Sequence, residues 1–266
     1  MNQVDLDIKG RVAIVTGGSK GIGLAAAEEL GRAGVRLLLS ARGESELTAA
    51  VDRLRDMGID AVAHVADAAR PGAVDGMYEA AIAAYGQVDI AVCVAGGGHG
   101  PLRTFSWEEW IRLYELNVLS AVALAMKCVP AMRERKWGRV LFVGSTAARE
   151  ADPRWAAYGA AKAALLHTAK SLALAYAKDG VLTNCVHPGL TRTEGIVAGY
   201  QAQAERLGST PEEVERRMLE LQPIAAGRVG EAREIADAIA FLCSARASWI
   251  AGASLQVDGG TIRVTP

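Results

Sequence analysis

The sequence predicts an α/β fold, a doubly wound parallel sheet of about seven strands formed as one domain over residues 1–266. Three observations carry that prediction. Apolar, strand-like runs at about 12–16, 35–40, 61–66, 89–95, 139–144, 181–187 and 254–258 alternate with Ala-rich stretches of helical character, the pattern of βαβ units. A glycine loop separates the first run from the first helical stretch. The 266 residues, 51% of them hydrophobic, can bury a sizeable core, and no linker, repeat or break in composition divides them.

The first element is Arg11-Val12-Ala13-Ile14-Val15-Thr16, a β-branched run read as a buried strand, followed by Gly17-Gly18-Ser19-Lys20-Gly21-Ile22-Gly23 and an Ala/Glu/Leu helix. Glycines at 17, 21 and 23 let the backbone turn tightly and approach a pyrophosphate seated on the positive end of the helix. Their spacing, G-x-x-x-G-x-G, differs from the common dinucleotide fingerprint but keeps its strand–loop–helix context, which makes the predicted fold Rossmann-like.

The second strand ends in Leu39-Ser40-Ala41-Arg42, where an enzyme using NAD places an acid to read the ribose 2′-hydroxyl. Here Ser40 and Ala41 stand at that place, with Arg42 after them and Lys20 in the glycine loop. Two cations without an acid at 40 or 41 suit a 2′-phosphate, which a guanidinium can hold bidentately. NADP(H) is the expected cofactor, with NAD(H) as the alternative because Glu44 lies close. Strand ends and the loops after them gather ligands at the carboxyl edge of such a sheet, and Gly17, Ser40, Asp67, Ala95, Ser145 and Pro188 all fall there.

Ser145 follows the fifth run, and Tyr158 and Lys162 stand one helical turn apart thirteen and seventeen residues on. The phenol and the ammonium share a helix face, and a nearby cation favours phenolate, lowering a pKa of about 10 by roughly 1–3 units. Ser145, arriving from a strand end, would hydrogen-bond the same substrate oxygen. This is apparatus for protonating or deprotonating an alcohol oxygen.

With these motifs in order, the chain resembles the single-domain short-chain dehydrogenases/reductases from about Lys9 to Gly260. Thr16-Gly17-x-x-x-Gly21-Ile22-Gly23 matches that family's cofactor loop, and Asn117 its catalytic asparagine. Ser145, Tyr158 and Lys162 match the catalytic trio, and Val257-Asp258-Gly259-Gly260 the usual ending. His187-Pro188-Gly189 followed by Thr193 matches the segment covering the nicotinamide, in which Thr191 also lies.

The resemblance implies cofactor contacts from Ser19, Lys20 and Ile22 in the loop and from Asp67 and Ala68 at the adenine. It implies the same for Ala95-Gly96 at the adenosine ribose and for Tyr158 and Lys162 at the nicotinamide ribose. Cys93-Val94 replaces the family's paired asparagines, so altered bracing of the sheet is expected there. The implied reaction moves hydride between nicotinamide and a small-molecule carbonyl or secondary alcohol, as in the 3-oxoacyl-thioester reductases. An NAD-dependent alcohol, polyol or steroid dehydrogenase is the nearer alternative, and a dinucleotide-binding sensor or scaffold without turnover the more distant one. A homotetramer is the implied assembly.

The stretch 191–228 interrupts the alternation and is expected to form a substrate lid, with Thr210 capping a helix that opens at Pro211. Trp155, Arg149, Arg103, His99 and Tyr200 are candidates to face the substrate. Four histidines, at 64, 99, 167 and 187, lack metal-ligand spacing, so no metal is expected. A net charge of −1 gives no field for nucleic acid, and Arg133-Glu134-Arg135-Lys136 reads as a solvated helix end. The scattered cysteines at 93, 128, 185 and 243 read as reduced core thiols. With neither a signal-like run near Met1 nor a segment approaching about 20 apolar residues, a cytoplasmic protein away from membranes is expected.

Overall fold

In the computed structural model, residues 5–98 and 106–263 are described. Seven parallel strands form one sheet in the order β3-β2-β1-β4-β5-β6-β9. They are β1 (Val12–Thr16), β2 (Arg36–Ala41), β3 (Ala61–Val65), β4 (Ile90–Cys93), β5 (Gly138–Val143), β6 (Val181–Pro188) and β9 (Ser254–Val257). All seven expected runs became strands. Two short strands the sequence did not announce, β7 (Thr191–Arg192) and β8 (Gly230–Glu231), pair beside this sheet.

The strands are buried on both faces, which is why they read as continuous apolar runs. Val15, Leu37, Leu39, Val92 and Leu141 face a core shared with α1 (Gly21–Arg32), α2 (Glu44–Asp56) and α9 (Ala232–Cys243). Ile14, Leu38, Ala91, Val140 and Phe142 face the other core. There they meet α3 (Ala73–Tyr85), α5 (Ser120–Glu134) and α6 (Ala156–Tyr176). Strand order reverses between β1 and β4, so the loops after those two strands part and leave a crevice at the carboxyl edge.

Helix α4 (Trp107–Tyr114) opens with a capping box between Ser106 and Glu109 and runs into α5 through one π-turn, Glu115–Leu119. This run, Trp107–Glu134, amends one expectation. By length and composition it could cross a membrane, although half of its most apolar window is buried within the fold as a core helix.

Between 191 and 228 the chain forms α7 (Glu194–Leu207) and α8 (Pro211–Leu221). Thr210 caps α8 as expected, its hydroxyl accepting from Glu213 N at 3.3 Å. Tyr200 packs between the two helices with Ala204 and Val214. It therefore does not face a substrate cleft, because its apolar ring is what holds α7 to α8.

Candidate active site

Ser145 stands just beyond β5, in extended backbone, and caps the 3-10 turn Thr146–Ala148, its Oγ accepting from Ala147 N at 3.1 Å. Helix α6 lies against that turn so closely that a side chain at Gly159 would meet the Ala147 carbonyl oxygen at 2.6 Å. This contact brings Tyr158 to Ser145, and the two hydroxyls hydrogen-bond. Trp155 meets the Tyr158 ring edge-on, with centroids 6.2 Å apart.

Lys162, one turn further along α6, is buried and donates from Nζ to the Val143 carbonyl at 2.8 Å. Its Nζ lies 5.6 Å from the centre of the Tyr158 ring. Asn117 sits in the π-turn, where the widened helix leaves the Leu113 carbonyl to its Nδ2 at 2.9 Å. The same amide group donates to Gly97 O at 2.9 Å and accepts from Gly97 N at 3.0 Å. A Cβ at Gly96 would lie 2.6 Å from Asn117 Oδ1 and 2.9 Å from Lys162 Nζ, so Asn117, Lys162 and the β4 loop converge on one point.

The electrostatics correct one expectation. Burial pushes the Tyr158 phenol above its ordinary value, opposed by the hydrogen bond from Ser145. Burial also pulls Lys162 down to about 8, opposed by Cys185 and Cys93. Sequence spacing registers the neighbouring charge but not the desolvation, and here desolvation is the larger effect on both groups.

On the other side of the crevice, Gly17 turns with φ +67, and a Cβ there would stand 3.0 Å from Ala95 N. At Gly23 a side chain would collide with the Gly17 carbonyl. The bracing expected to be altered at Cys93-Val94 is supplied by Thr16, whose hydroxyl accepts from both Val94 N and Ala95 N at 3.1 Å. Buried Cys93 turns its thiol to Ala121 O instead. Nothing in residue spacing marked Thr16 as this bridge.

Ser19 and Ile22 line the loop half-buried, and Lys20 is exposed. Lys20 is paired with Glu46 at 3.1 Å, an acid on α2 that the sequence did not single out. Arg42 is exposed and enters no ion pair among the described residues. Glu194 Oε2 accepts from Gly21 N at 2.8 Å, placing a carboxylate on the uncapped N-terminus of α1.

At the β3 end, Asp67 Oδ1 accepts from Ala69 N at 3.2 Å beside buried Ala68. Pro188 ends β6, Gly189 N donates to Val257 O at 3.1 Å, and buried Thr191 donates its hydroxyl to Gly189 O at 2.9 Å. Thr193 caps α7 through Ile196 N at 3.4 Å. Arg149 donates to Ser254 Oγ on β9 at 3.1 Å. His99 and Arg103 lie outside the described residues. No metal-binding cluster occurs among the described residues.

A glycine-rich strand-to-helix loop, backbone amides at a helix start and Arg42 beyond β2 together fit an extended dinucleotide. The comparisons agree. A family model described as Enoyl-(Acyl carrier protein) reductase matches residues 17–261. The chain is 34% identical over 260 residues to 3-oxoacyl-(acyl-carrier-protein) reductase FabG of Escherichia coli, covering 97% of this chain and 100% of that one. It is 33% identical over 258 residues to 2,3-dihydroxy-2,3-dihydro-p-cumate dehydrogenase of Pseudomonas putida, covering 96% of each. The structure of L-sorbose reductase from Gluconobacter frateurii, solved with NADPH and L-sorbose, superposes with a TM-score of 0.94 at 32% identity, covering 98% of this chain and 100% of that one. The chain belongs to the short-chain dehydrogenase/reductase family of oxidoreductases.

Proposed function

We propose that the protein is an NADP(H)-dependent ketoreductase that interconverts a small-molecule carbonyl and a secondary alcohol. The observation that carries this is the meeting of Ser145, Tyr158 and Lys162 at the mouth of the glycine-lined crevice. When bound, the nicotinamide supplies or accepts the hydride.

The chain's own residues manage the oxygen. Tyr158 gives its proton to the carbonyl oxygen in reduction and takes it back in oxidation. Ser145 donates to the same oxygen and stabilises the charge developing there. Lys162, buried against Val143 O, would hold the nicotinamide ribose and feed protons to Tyr158, and Asn117 would seat the water that links Lys162 to solvent.

Gly17, Ser19, Lys20, Gly21, Ile22 and Gly23 would take the pyrophosphate side of the cofactor, with Asp67, Ala68, Ala95 and Gly96 at the adenosine. Pro188, Gly189, Thr191 and Thr193 would cover the nicotinamide. Helices α7 and α8, as a lid within a single catalytic domain, would close over the substrate. The NADPH-bound sorbose reductase and Arg42, without an ion pair among the described residues, support NADP(H), whereas the Lys20–Glu46 ion pair favours NAD(H) by occupying one of the two cations.

Relatives named for 3-oxoacyl thioesters and for a ring diol make those two substrate classes the first to test. Exposed Trp249, Phe241 and Leu255 at the β9 end, with Leu119 just before α5 and Met126 within it, support assembly as a homotetramer. Four buried, unpaired thiols support a reducing compartment such as the cytoplasm. The experiment is turnover of NADPH and of NADH with 3-oxoacyl thioesters, keto sugars, cyclic ketones and aryl ketones, for wild type and Arg42→Ala. The proposal expects NADPH turnover and a loss in Arg42→Ala confined largely to NADPH; equal losses with both cofactors would contradict the assignment.

A further inference from the structure

His187 is fully enclosed on β6, and its imidazole lies against the peptide that carries Ser145. Nδ1 is 3.0 Å from the Ser145 carbonyl oxygen and 3.3 Å from the Ser145 amide nitrogen. The approach exists because residue 144 is glycine: a Cβ there would stand 2.5 Å from Nδ1 and 3.1 Å from Cys185 Sγ. Gly144 N in turn donates to Val186 O at 2.7 Å, so β5 and β6 are tied together up to the catalytic serine.

Either tautomer ties Nδ1 to the Ser145 backbone. With the proton on Nδ1, the ring donates to Ser145 O over the shorter distance and leaves Nε2 as a bare lone pair. With the proton on Nε2, Nδ1 accepts from Ser145 N at 3.3 Å and the buried Nε2–H has no hydrogen-bond partner among the described residues. Gln256, the register neighbour of His187 on β9, carries a side-chain nitrogen that is likewise buried and unpartnered, a donor suited to that lone pair.

The charged groups bearing on the ring are both cations, Arg149 from beyond the 3-10 turn and Lys162 from α6. The nearby thiol of Cys185 is held protonated by burial. Burial, reinforced by the two cations, pulls the imidazole below its ordinary value, so His187 is neutral at pH 7.

The Ser145 hydroxyl is oriented by Ala147 N and the Ser145 carbonyl also accepts from Ala148 N at 3.0 Å, both from within the 3-10 turn, so Nδ1 is the restraint that the Ser145 backbone receives from the β6 side. We propose that His187 is a positioning residue that anchors the Ser145 backbone to β6 through Nδ1 and so sets how closely the Ser145 hydroxyl meets Tyr158 and the substrate oxygen. The inference rests on the reading of Ser145 and Tyr158 given above and adds a residue to it.

Asparagine can place a polar atom where Nδ1 stands, while glutamine reaches only the Nε2 position. The test compares His187→Asn and His187→Gln with wild type and with Tyr158→Phe. A misplacement of about 1 Å at a reacting group can cost roughly 100-fold, so His187→Gln should lose about 10- to 100-fold in kcat while His187→Asn stays within roughly threefold of wild type. Binding of NADPH, followed by fluorescence, should be unchanged in both.

A second readout needs no turnover. The Ser145 hydrogen bond lowers the Tyr158 phenol pKa, so ultraviolet difference titration of the cofactor-free protein should show that phenol ionising at higher pH in His187→Gln and unshifted in His187→Asn. If the glutamine variant does not fold, His187→Ser, too short to reach the peptide, replaces it with the same expectations. Equal losses in the asparagine and glutamine variants, or an unmoved Tyr158 titration in His187→Gln, would overturn the inference. An inactive Tyr158→Phe beside a normal His187→Gln would remove this inference alone, whereas an active Tyr158→Phe would remove the reading beneath it.

Discussion

Lys162 and Tyr158 are held by the fold in opposition to their surroundings. Each loses hydration on burial, so the lysine gives up its proton more readily and the tyrosine less readily than in water. For Lys162 the sign of the linkage is definite. Its folded value of about 8 lies below the ordinary 10.5, so between these two pH values the unfolded chain binds more protons than the folded one. Below pH 8 the fold carries a charged, buried lysine at a penalty on the order of 3 kcal/mol, and that penalty fades as pH rises toward 10.5. The stability of wild type relative to Lys162→Met should therefore be flat below pH 8 and rise from pH 8 to 10.5. Chemical denaturation of both proteins across that range checks it, and a gap that ignores pH would show the lysine to be solvated. The residues at this centre were legible from the one-turn spacing of Tyr158 and Lys162 and the position of Ser145. The balance between charge and desolvation was not, because burial depends on what the sheet and α6 bring around them.

At the level of elements, the seven strands and the glycine loop could be read because each is a local pattern: a β-branched run, a glycine-rich turn, an amphipathic helix. Cross-chain devices could not be read that way. Thr16 is separated from Val94 by 78 residues and Glu194 from Gly21 by 173, and nothing local signals either contact. Thr16 replaces the missing asparagines by satisfying two amides at once with one hydroxyl. Thr16→Val keeps the shape and removes the acceptor, leaving both amides of the β4 loop unpaired, which should cost roughly 2 kcal/mol or more. A denaturation midpoint unchanged from wild type would show that the loop finds other acceptors. The π-turn at Asn117 belongs to the same class, since an extra residue in a helix is visible only once the Leu113 carbonyl has been seen to turn to the side chain.

Over the molecule as a whole, strand order explains why the site is where it is. The reversal between β1 and β4 opens the crevice, and β5 and α6 bring Ser145, Tyr158 and Lys162 beside it. The opposite end of the sheet closes on β9, beside Trp249, which is 98% exposed, and Phe241. A single isolated chain leaves that apolar surface in water. Sedimentation should find a species larger than the monomer, shifted toward monomer by Trp249→Glu; a monomeric wild type would remove the proposed assembly. The central claim, that Tyr158 exchanges the proton with the substrate oxygen, is tested most directly by one comparison. NADPH binding and carbonyl reduction are measured side by side for wild type and Tyr158→Phe. General acid–base catalysis is worth roughly 100- to 10,000-fold, so the variant should lose at least that order in kcat while binding NADPH as tightly as wild type. Turnover within a few-fold of wild type would contradict the account.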